Sequence, residues 1–198
     1  MDEPAPPPWE QELPLVRQGD DAAARRLVEA LYPKVIRIVR NHLPTSMDEQ
    51  DLAQDIFVKI FTKLDQFRGS QPFDHWVARV ALNTCYDRLR QHKARRVLNY
   101  ADFSTEQAAY FDDLLSRQHH DESPAEKQAA ASEIVEKMLS TLKPHEQLVL
   151  RLLDLEEKSV QEICALTGWG ASRVKVTAFR ARRKLADTFQ SLDKATSL

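Results

Sequence analysis

The strongest chemical pattern in this sequence is a run of cations near its C-terminal end. From Arg173 to Lys184 six side chains are basic and none is acidic. Just before this run, Ser159 and Glu162 have capping-box spacing, and two glycines suit a tight turn. A capped short helix, a turn and a cationic helix in this order are typical of a helix-turn-helix, whose second helix enters the major groove of DNA.

The cationic second helix is predicted to have an inner and an outer face. Val174 and Phe179 are expected to pack inward. Side chains at the start of such a helix reach base edges, and later arginines reach phosphates. The residues expected to contact duplex DNA are Ser172, Arg173, Lys175, Val176, Arg180, Arg182 and Arg183. The alternative is an ordinary helical hairpin whose basic side chains only solvate one face.

A second pattern combines aromatic and cationic side chains. Phe67, Phe73 and Trp76 surround an Arg68-Gly69 loop. Six cations against one acid follow between residues 79 and 96. Aromatic rings stack on unstacked bases and cations bind the phosphates of the strand, so this pattern suits single-stranded DNA. The alternative is that Phe73 and Trp76 are core residues, as aromatics at helical spacing usually are.

A third pattern is acidic. Asp51, Gln54 and Asp55 fall within five residues and crowd one side of a predicted helix. Leu52 and Phe57 are expected to turn to the inner side. Such a face suits a basic protein partner. The alternative is a role in capping and solubility, because the dipole of a helix favours acids in its first turn.

The elements that must position these side chains are predicted to be helices. Apolar residues recur at spacings of three and four, and the chain has only 4 Gly, with 42% hydrophobic and 29% charged residues. The sequence therefore predicts an all-α protein. Pro33 is expected to restart the first helix, and Ser46 or Asp48 to begin the second. The predicted helices span about 20–44, 48–64, 73–96, 124–142, 144–154, 159–167 and 171–192.

Charge divides the chain into two small helical domains. The net charge is only -2, but residues 97–131 carry an excess of acids between the two basic runs. Ser123 before Pro124 marks the start of a helix, since proline at the first helical position wastes no amide. We expect an N-terminal tail at 1–19, a first domain at 20–96, an acidic linker at 97–123 and a second domain at 124–198.

Other features narrow the class of protein. The N-terminal residues lack the basic and apolar pattern of a secretory signal, and no apolar stretch approaches about 18 residues, so a cytoplasmic protein without membrane insertion is predicted. Cys85 and Cys164 lie far apart and resemble small buried residues of a reducing compartment. The adjacent His119 and His120 lack further ligands. No metal and no cofactor are predicted.

The stretch from residue 48 to 96 resembles region 2 of bacterial sigma factors. An acidic helix, an F-R-G loop and a W-x-x-R-x-A-x-N helix follow one another in the order of that family. The end of the cationic helix, FRARRKL, resembles the end of sigma region 4. With only these two regions, the chain resembles the extracytoplasmic-function (group IV) sigma factors. The matching positions of region 2 are Asp51, Leu52, Gln54, Asp55, Phe57, Phe67, Arg68, Gly69, Trp76, Arg79, Ala81, Asn83, Asp87 and Arg90.

This resemblance implies a function and its partners. A sigma factor directs RNA polymerase core to specific promoters and aids DNA opening, without catalysing a reaction. The implied contacts are with the coiled coil of the largest polymerase subunit and the beta flap, with promoter DNA, and with an anti-sigma factor. The implied core-binding residues are Asp51, Leu52, Gln54, Asp55 and Phe57.

The resemblance also divides the DNA contacts between the two domains. The loop and Asn83 would form a pocket for a flipped base of the minus-ten element. The outer face of the cationic helix would bind the minus-thirty-five element, and the acids of the linker would pass through the polymerase cleft. The implied minus-ten residues are Phe67, Arg68, Phe73, Trp76, Arg79, Asn83, Arg88 and Arg90.

The sequence departs from the family in its second domain. Val176 and Thr177 stand where the family commonly has Ser-Arg, and the turn carries an unusual Trp169. These positions put the usual phosphate contacts and the base preference in doubt.

Two other classes of function are weighed against this one. A helix-turn-helix regulator would bind duplex DNA as a dimer outside the holoenzyme, but it has no need of the acidic helix and aromatic loop. An enzyme is the least expected class, because the sequence has no Gly-rich phosphate loop, nucleophile elbow or paired metal-ligand motif.

Overall fold

The computed structural model describes residues 8–44, 47–69, 71–91 and 124–196. Within these ranges every regular element is helical, which confirms the predicted all-α class. The helices fall into two compact units, one with α1–α4 and the other with α5, α6 and α8. The α-helices are α1 (Pro8–Arg17), α2 (Asp21–His42), α3 (Glu49–Thr62), α4 (Phe73–Gln91), α5 (Pro124–Ser140), α6 (Pro144–Leu150), α7 (Val160–Thr167) and α8 (Ala171–Thr196).

The first unit is built around α2. Its start is fixed by Asp20, whose carboxylate accepts hydrogen bonds from the backbone N–H groups of Ala22 (2.8 Å) and Ala23 (3.0 Å). Pro33 lies inside the helix and does not restart it, contrary to the prediction. An internal proline costs about 3 kcal/mol or more. The buried Leu31 and Val35 on either side offset this cost by packing into the core.

The core of the first unit joins one face each of α2, α3 and α4. The side chains of this core are apolar and almost completely buried. Full burial of each Leu, Ile or Val contributes about 1.5–3 kcal/mol to the stability of the fold. Because α2, α3 and α4 share this core, the two ends of the loop between α3 and α4 are held in place. The central side chains are Leu27, Leu31, Val35, Val39, Leu52, Ile56, Ile60 and Val77.

Helix α1 was not among the predicted helices. Its Trp9, Leu13 and Val16 pack against the core of the first unit. The guanidinium of Arg26 on α2 also donates two hydrogen bonds of 2.9 Å to the carboxylate of Glu12. The sequence pattern does not predict this helix, because it begins in a Pro-rich stretch and contains Pro14.

Asp48, one of the two residues predicted to start the second helix, is the N-cap of α3. Its carboxylate accepts hydrogen bonds from the backbone N–H groups of Gln50 (2.8 Å) and Asp51 (3.0 Å). After α3 the chain forms a 3₁₀ turn, Leu64–Gln66, and then an extended loop. Gly69 in this loop has a φ of +72°, which disfavours residues with a Cβ.

The second unit contains a buried network around α6. The predicted helix 144–154 is an α-helix only as far as Leu150 and then widens into a π-type turn, Arg151–Leu155. Arg151 is buried, and its guanidinium donates to both carboxylate oxygens of Glu136 at 2.8 and 2.6 Å. The apolar core beside it contains Leu139, Leu142, Leu150 and Ala181.

The predicted capping box of the helix-turn-helix is present. The N–H of Glu162 donates to Ser159 Oγ (3.2 Å), and the N–H of Ser159 donates to the Glu162 carboxylate (2.8 Å). Gly168 in the turn has a φ of +75°. These two features fix both ends of α7, as the spacing predicted.

Two kinds of feature are absent from the described residues. None of their helices is long and apolar enough to cross a membrane. No group of three or more His, Cys, Asp or Glu side chains among them could hold a metal ion.

Several predictions lie outside the described residues. They concern Ser46 as a cap, the basic tail with Lys93, Arg95 and Arg96, and the adjacent His119 and His120. They also concern the linker acids Asp112, Asp113, Asp121 and Glu122.

Candidate nucleic-acid interface

The acidic face predicted on α3 is present and exposed. Asp51, Gln54 and Asp55 lie on the surface, while Leu52 is fully buried and Phe57 is 9% exposed beneath it. Phe57 also stacks on Tyr32 of α2, with ring centroids 6.4 Å apart. The inner side of α3 therefore holds the helix in place, and the outer side presents carboxylates.

Arg88 of α4 lies between the two carboxylates of this face. Its Nη2 donates to Asp55 Oδ2 at 2.7 Å, and Nη1 and Nη2 both donate to Asp51 Oδ2 at 3.1 Å. Desolvation alone would lower the pKa of Arg88, but the hydrogen bonds to both acids raise it above its ordinary value. One permanent cation between two carboxylates leaves a net negative face with an ordered geometry. We call Asp51, Asp55 and Arg88 the acidic patch.

The aromatic residues form one cluster at the start of α4. The ring centroids of Phe67 and Phe73 lie 5.0 Å apart, and Trp76 lies 5.7 Å from Phe67 and 5.6 Å from Phe73. Phe73 is only 4% exposed and belongs to the core, whereas Phe67 and Trp76 are half-buried. Both alternatives from the sequence therefore apply in part: Phe73 is a core residue, and Phe67 and Trp76 are partly exposed rings.

A cavity of about 460 Å³ lies in the loop before this cluster. It is lined by Arg17, Asp65, Phe67, Arg68 and Gly69. It is open to solvent along much of its surface. The loop residues of the predicted pocket are therefore together.

Other predicted minus-ten residues share one face of α4. Arg79, Asn83 and Arg90 are exposed, and with Trp76 they follow spacings of three, four and seven, which place them on one side of a helix. Asn83 is not among the residues that line the cavity. Arg88 lies off this face and joins the acidic patch instead.

The outer face of α8 is exposed as predicted, with one correction. Val174 is fully buried, but Phe179 is 68% exposed and does not pack inward. The buried stripe runs through Val174, Ala178 and Ala181 at spacings of four and three, so Phe179 is rotated away from it. The exposed residues of the predicted set are Ser172, Arg173, Lys175, Val176, Arg180, Arg182 and Arg183.

The unusual Trp169 contacts the start of α8. The guanidinium carbon of Arg173 lies 4.0 Å from the centroid of its ring. Such a cation–π contact holds an arginine without a carboxylate and leaves its N–H donors available. Thr177, the other departure from the family, is only 8% exposed. Its side chain does not belong to the outer face of the helix.

Two cations of α8 have structural partners. The guanidinium of Arg182 donates to the carboxylate of Asp154, with a Nε–Oδ2 distance of 3.2 Å. Lys184 Nζ donates to both carboxylate oxygens of Glu146, at 2.6 and 2.9 Å. Burial alone would raise the pKa of Glu146, but hydrogen bonds from Lys184 and the Lys143 N–H outweigh it and lower that pKa.

Sequence reasoning missed Arg17. Its guanidinium reaches the loop between α3 and α4, where its Nη2 donates to the Phe67 carbonyl oxygen at 2.9 Å. No spacing within the sequence connects position 17 with position 67. Only the packing of α1 on the other helices of the first unit brings the two together.

Comparisons with known proteins give two matches to one family. The profile of Sigma-70 region 2 matches residues 27–96, and that of Sigma-70 region 4 matches residues 132–185. Together they cover more than half of the chain. The chain is 27% identical over 187 residues to the ECF RNA polymerase sigma-E factor of Escherichia coli (strain K12), covering 89% of this chain and 92% of the relative.

A second relative and a solved structure agree with these matches. The chain is 28% identical over 180 residues to the RNA polymerase sigma-H factor of Pseudomonas aeruginosa, covering 89% of this chain and 91% of the relative. The fold is similar to that of CnrH, solved in complex with the cytosolic domain of CnrY. The TM-score is 0.53 at 22% identity, covering 92% of this chain and 95% of that chain.

Proposed function

Because this chain belongs to the extracytoplasmic-function sigma factors of the sigma-70 family and acts as an RNA polymerase sigma factor, we propose a division of labour among its surfaces. The acidic patch binds polymerase core, the aromatic loop binds the minus-ten element, and α8 binds the minus-thirty-five element. The observation that carries this proposal is the presence of regions 2 and 4 in one chain, with an exposed surface of fitting chemistry in each.

The acidic patch supports docking on a basic polymerase surface. Its two carboxylates are exposed, ordered by Arg88 and held on a helix whose inner face is buried. Ordered charges lose little conformational entropy when a partner binds. The implied partner is the coiled coil of the largest subunit, with the beta flap as the partner of the second unit. The linker, proposed at 97–123 between domains 20–96 and 124–198, would pass through the cleft.

The aromatic loop supports capture of unstacked bases. Phe67 and Trp76 pack against the buried Phe73 and expose part of their rings. Stacking of a nucleobase on such a ring is worth about 1–3 kcal/mol. Arg68, Arg79 and the other exposed cations of α4 would bind the phosphates of the same strand. Sigma action needs both contacts, because an opened strand must be held by its bases and its backbone.

Helix α8 supports recognition of duplex DNA. Ser172 and Arg173 lie at its N-terminal end, where side chains of a recognition helix reach base edges, and Arg180 and Arg183 lie farther along for phosphates. The exposed Val176 and Phe179 add apolar surface suited to thymine methyl groups. We expect a base preference different from relatives that carry Ser-Arg at positions 176 and 177.

Regulation by an anti-sigma protein also belongs to this proposal. A partner that covers both units would block the acidic patch and α8 at once. The proposed site of action is the cytoplasm, where polymerase core and promoter DNA are found, and the chain acts by binding and not by catalysis.

Run-off transcription tests the proposed function. Purified protein is mixed with polymerase core and genomic fragments, and the transcripts are mapped. We expect start sites that depend on the added chain and that share two spaced sequence elements. A conventional helix-turn-helix regulator would instead bind a duplex without core and give no transcripts, and that result would replace the proposal.

A further inference from the structure

Helix α1 ends against the loop that the minus-ten site uses. Arg17, its last residue, donates hydrogen bonds from Nη2 to the carbonyl oxygens of Phe67 (2.9 Å) and Leu64 (3.5 Å). Leu64 begins the 3₁₀ turn Leu64–Gln66, and its carbonyl oxygen also accepts a hydrogen bond of 3.1 Å from the N–H of Phe67, the residue that caps the turn. The shorter contact, to the Phe67 carbonyl oxygen, places the guanidinium at the C-terminal end of the turn, where the backbone dipoles favour a positive charge.

The same side chain also lines the cavity of the loop. Arg17 forms its wall together with Asp65, Phe67, Arg68 and Gly69. A guanidinium has five N–H donors, and the two carbonyl oxygens engage only Nη2. Donors therefore remain for a ligand in the cavity, where the two arginines suit a phosphate and the half-buried ring of Phe67 suits a stacked base.

The position of Arg17 is supported along the whole of α1. Trp9, Leu13 and Val16 pack on the core, and Glu12 holds Arg26 of α2 through two hydrogen bonds of 2.9 Å. The arginine is thus delivered by a docked helix to a defined point of the loop. A surface arginine on a free tail would have no such fixed direction.

We infer that Arg17 is a positioning residue of the minus-ten site, which makes α1 part of the surface that captures unstacked promoter DNA. By binding the carbonyl oxygens of Phe67 and Leu64, it fixes the turn that carries Phe67 and Arg68 to the cavity. This inference rests on the proposed function, but it assigns a role to a helix outside the segment that matches Sigma-70 region 2.

The test measures strand capture by the holoenzyme. The probe is a single-stranded DNA oligonucleotide carrying the non-template minus-ten segment of a promoter that the wild-type holoenzyme transcribes. In a second set of probes, one nucleotide at a time is replaced by an abasic site. Binding of wild type, Arg17→Ala and Arg17→Lys is measured by fluorescence anisotropy, alongside affinity for core and thermal stability.

We expect Arg17→Ala to bind core as wild type does but to bind the intact probe about tenfold more weakly, because hydrogen bonds from a charged group are lost. The abasic site that most weakens wild type should cost the variant much less, since the loop no longer presents its pocket. Arg17→Lys keeps a charged donor and should restore part of the binding. Arg25→Ala, which removes an exposed arginine from α2, is the matched control and should behave as wild type.

The outcomes separate this inference from the proposed function. If wild type fails to bind core or to give transcripts, the proposed function is wrong. If wild type does both and Arg17→Ala keeps full probe affinity and full discrimination against abasic sites, the inference is wrong. A variant with lower melting temperature but unchanged abasic discrimination would show that Arg17 only stabilises the fold, which also overturns the inference.

Discussion

At the scale of single residues, the same cation type serves three different purposes in this chain. Arg88 orders two acids, Arg17 binds two backbone carbonyls, and Arg173 lies over an indole ring. The resemblance to sigma region 2 implies a minus-ten contact for Arg88, and in the structure its guanidinium contacts Asp51 and Asp55 of the acidic patch. An arginine's partner, more than its charge, determines which function it can perform.

The acidic patch gives the first residue-scale prediction. Replacing Asp51 and Asp55 together by Ala should weaken binding to polymerase core about tenfold, because complementary charges are lost from a docking surface. The affinity is measured by fluorescence anisotropy with labelled protein. Asp187→Ala, which removes an exposed acid from α8, is the charge control and should leave core affinity unchanged. Equal losses for both variants would mean that net charge, and not the patch, attracts the core.

Arg88 gives a second prediction that follows from its two acids. Arg88→Ala should lower the affinity for core, since Asp51 and Asp55 lose their shared partner and their fixed geometry. We expect it to leave binding of the holoenzyme to a minus-ten single strand within about twofold of wild type, because the two acids hold Arg88 away from the face of α4 that carries Trp76, Arg79 and Asn83. A selective loss of strand binding with normal core affinity would contradict this prediction and support the minus-ten role that the resemblance implies for Arg88.

Trp169 gives a third prediction, for the helix-turn-helix. Trp169→Ala should weaken holoenzyme binding to the minus-thirty-five duplex about two- to fivefold, because an exposed cation–π contact is worth about 0.5–1 kcal/mol. Trp169→Phe should recover part of the loss. Anisotropy titrations with Arg173→Ala and the double variant close a thermodynamic cycle. Strictly additive losses would show that the indole does not act through Arg173.

At the scale of helices and turns, the caps could be predicted from the sequence. It was harder to predict which apolar side chains within a helix face the core. Ser159 and the turn glycine Gly168 act where local spacing placed them, because a cap depends on residues only two or three positions away. Phe179 was wrongly placed in the core because its hydrophobicity was read without the alanine stripe beside it. Small residues such as Ala178 and Ala181 mark a close helix contact that a scan for large apolar residues overlooks.

The contact between α6 and α8 gives a prediction about pH. Because the pKa of Glu146 is below its ordinary value of 4.5 in the folded protein, folding favours the ionised carboxylate. Its stabilising effect is therefore complete above 4.5 and is lost as the pH falls through the folded value. Glu146→Gln should lower the unfolding free energy by about 1–3 kcal/mol at pH 7, through loss of charged hydrogen bonds.

The pH series itself supplies the check. Urea unfolding followed by circular dichroism at pH 7, 5 and 3.5 should show the difference between wild type and Glu146→Gln shrinking with acid. Asp187→Asn should track wild type throughout, since Asp187 is exposed. A difference that stays constant down to pH 3.5 would contradict an ionised Glu146 as the cause.

At the scale of the whole molecule, the fold class and family were predictable, and the long-range contacts were not. Helical periodicity and the order of the motifs belong to the sequence itself, so they could be found without a structure. The bond from Arg17 to Phe67 and the pairing of Arg88 with Asp51 span 50 and 37 residues. Such pairs arise from the packing of α1, α3 and α4, which no local pattern specifies.

The central claim is that the acidic patch binds RNA polymerase core while two other surfaces hold one promoter. The most direct test is a titration of purified core into the labelled full chain at low salt, repeated at increasing ionic strength. The account predicts saturable binding that weakens with salt, because complementary charges steer and hold the contact. A chain that shows no affinity for core even at low salt would contradict the account at its base.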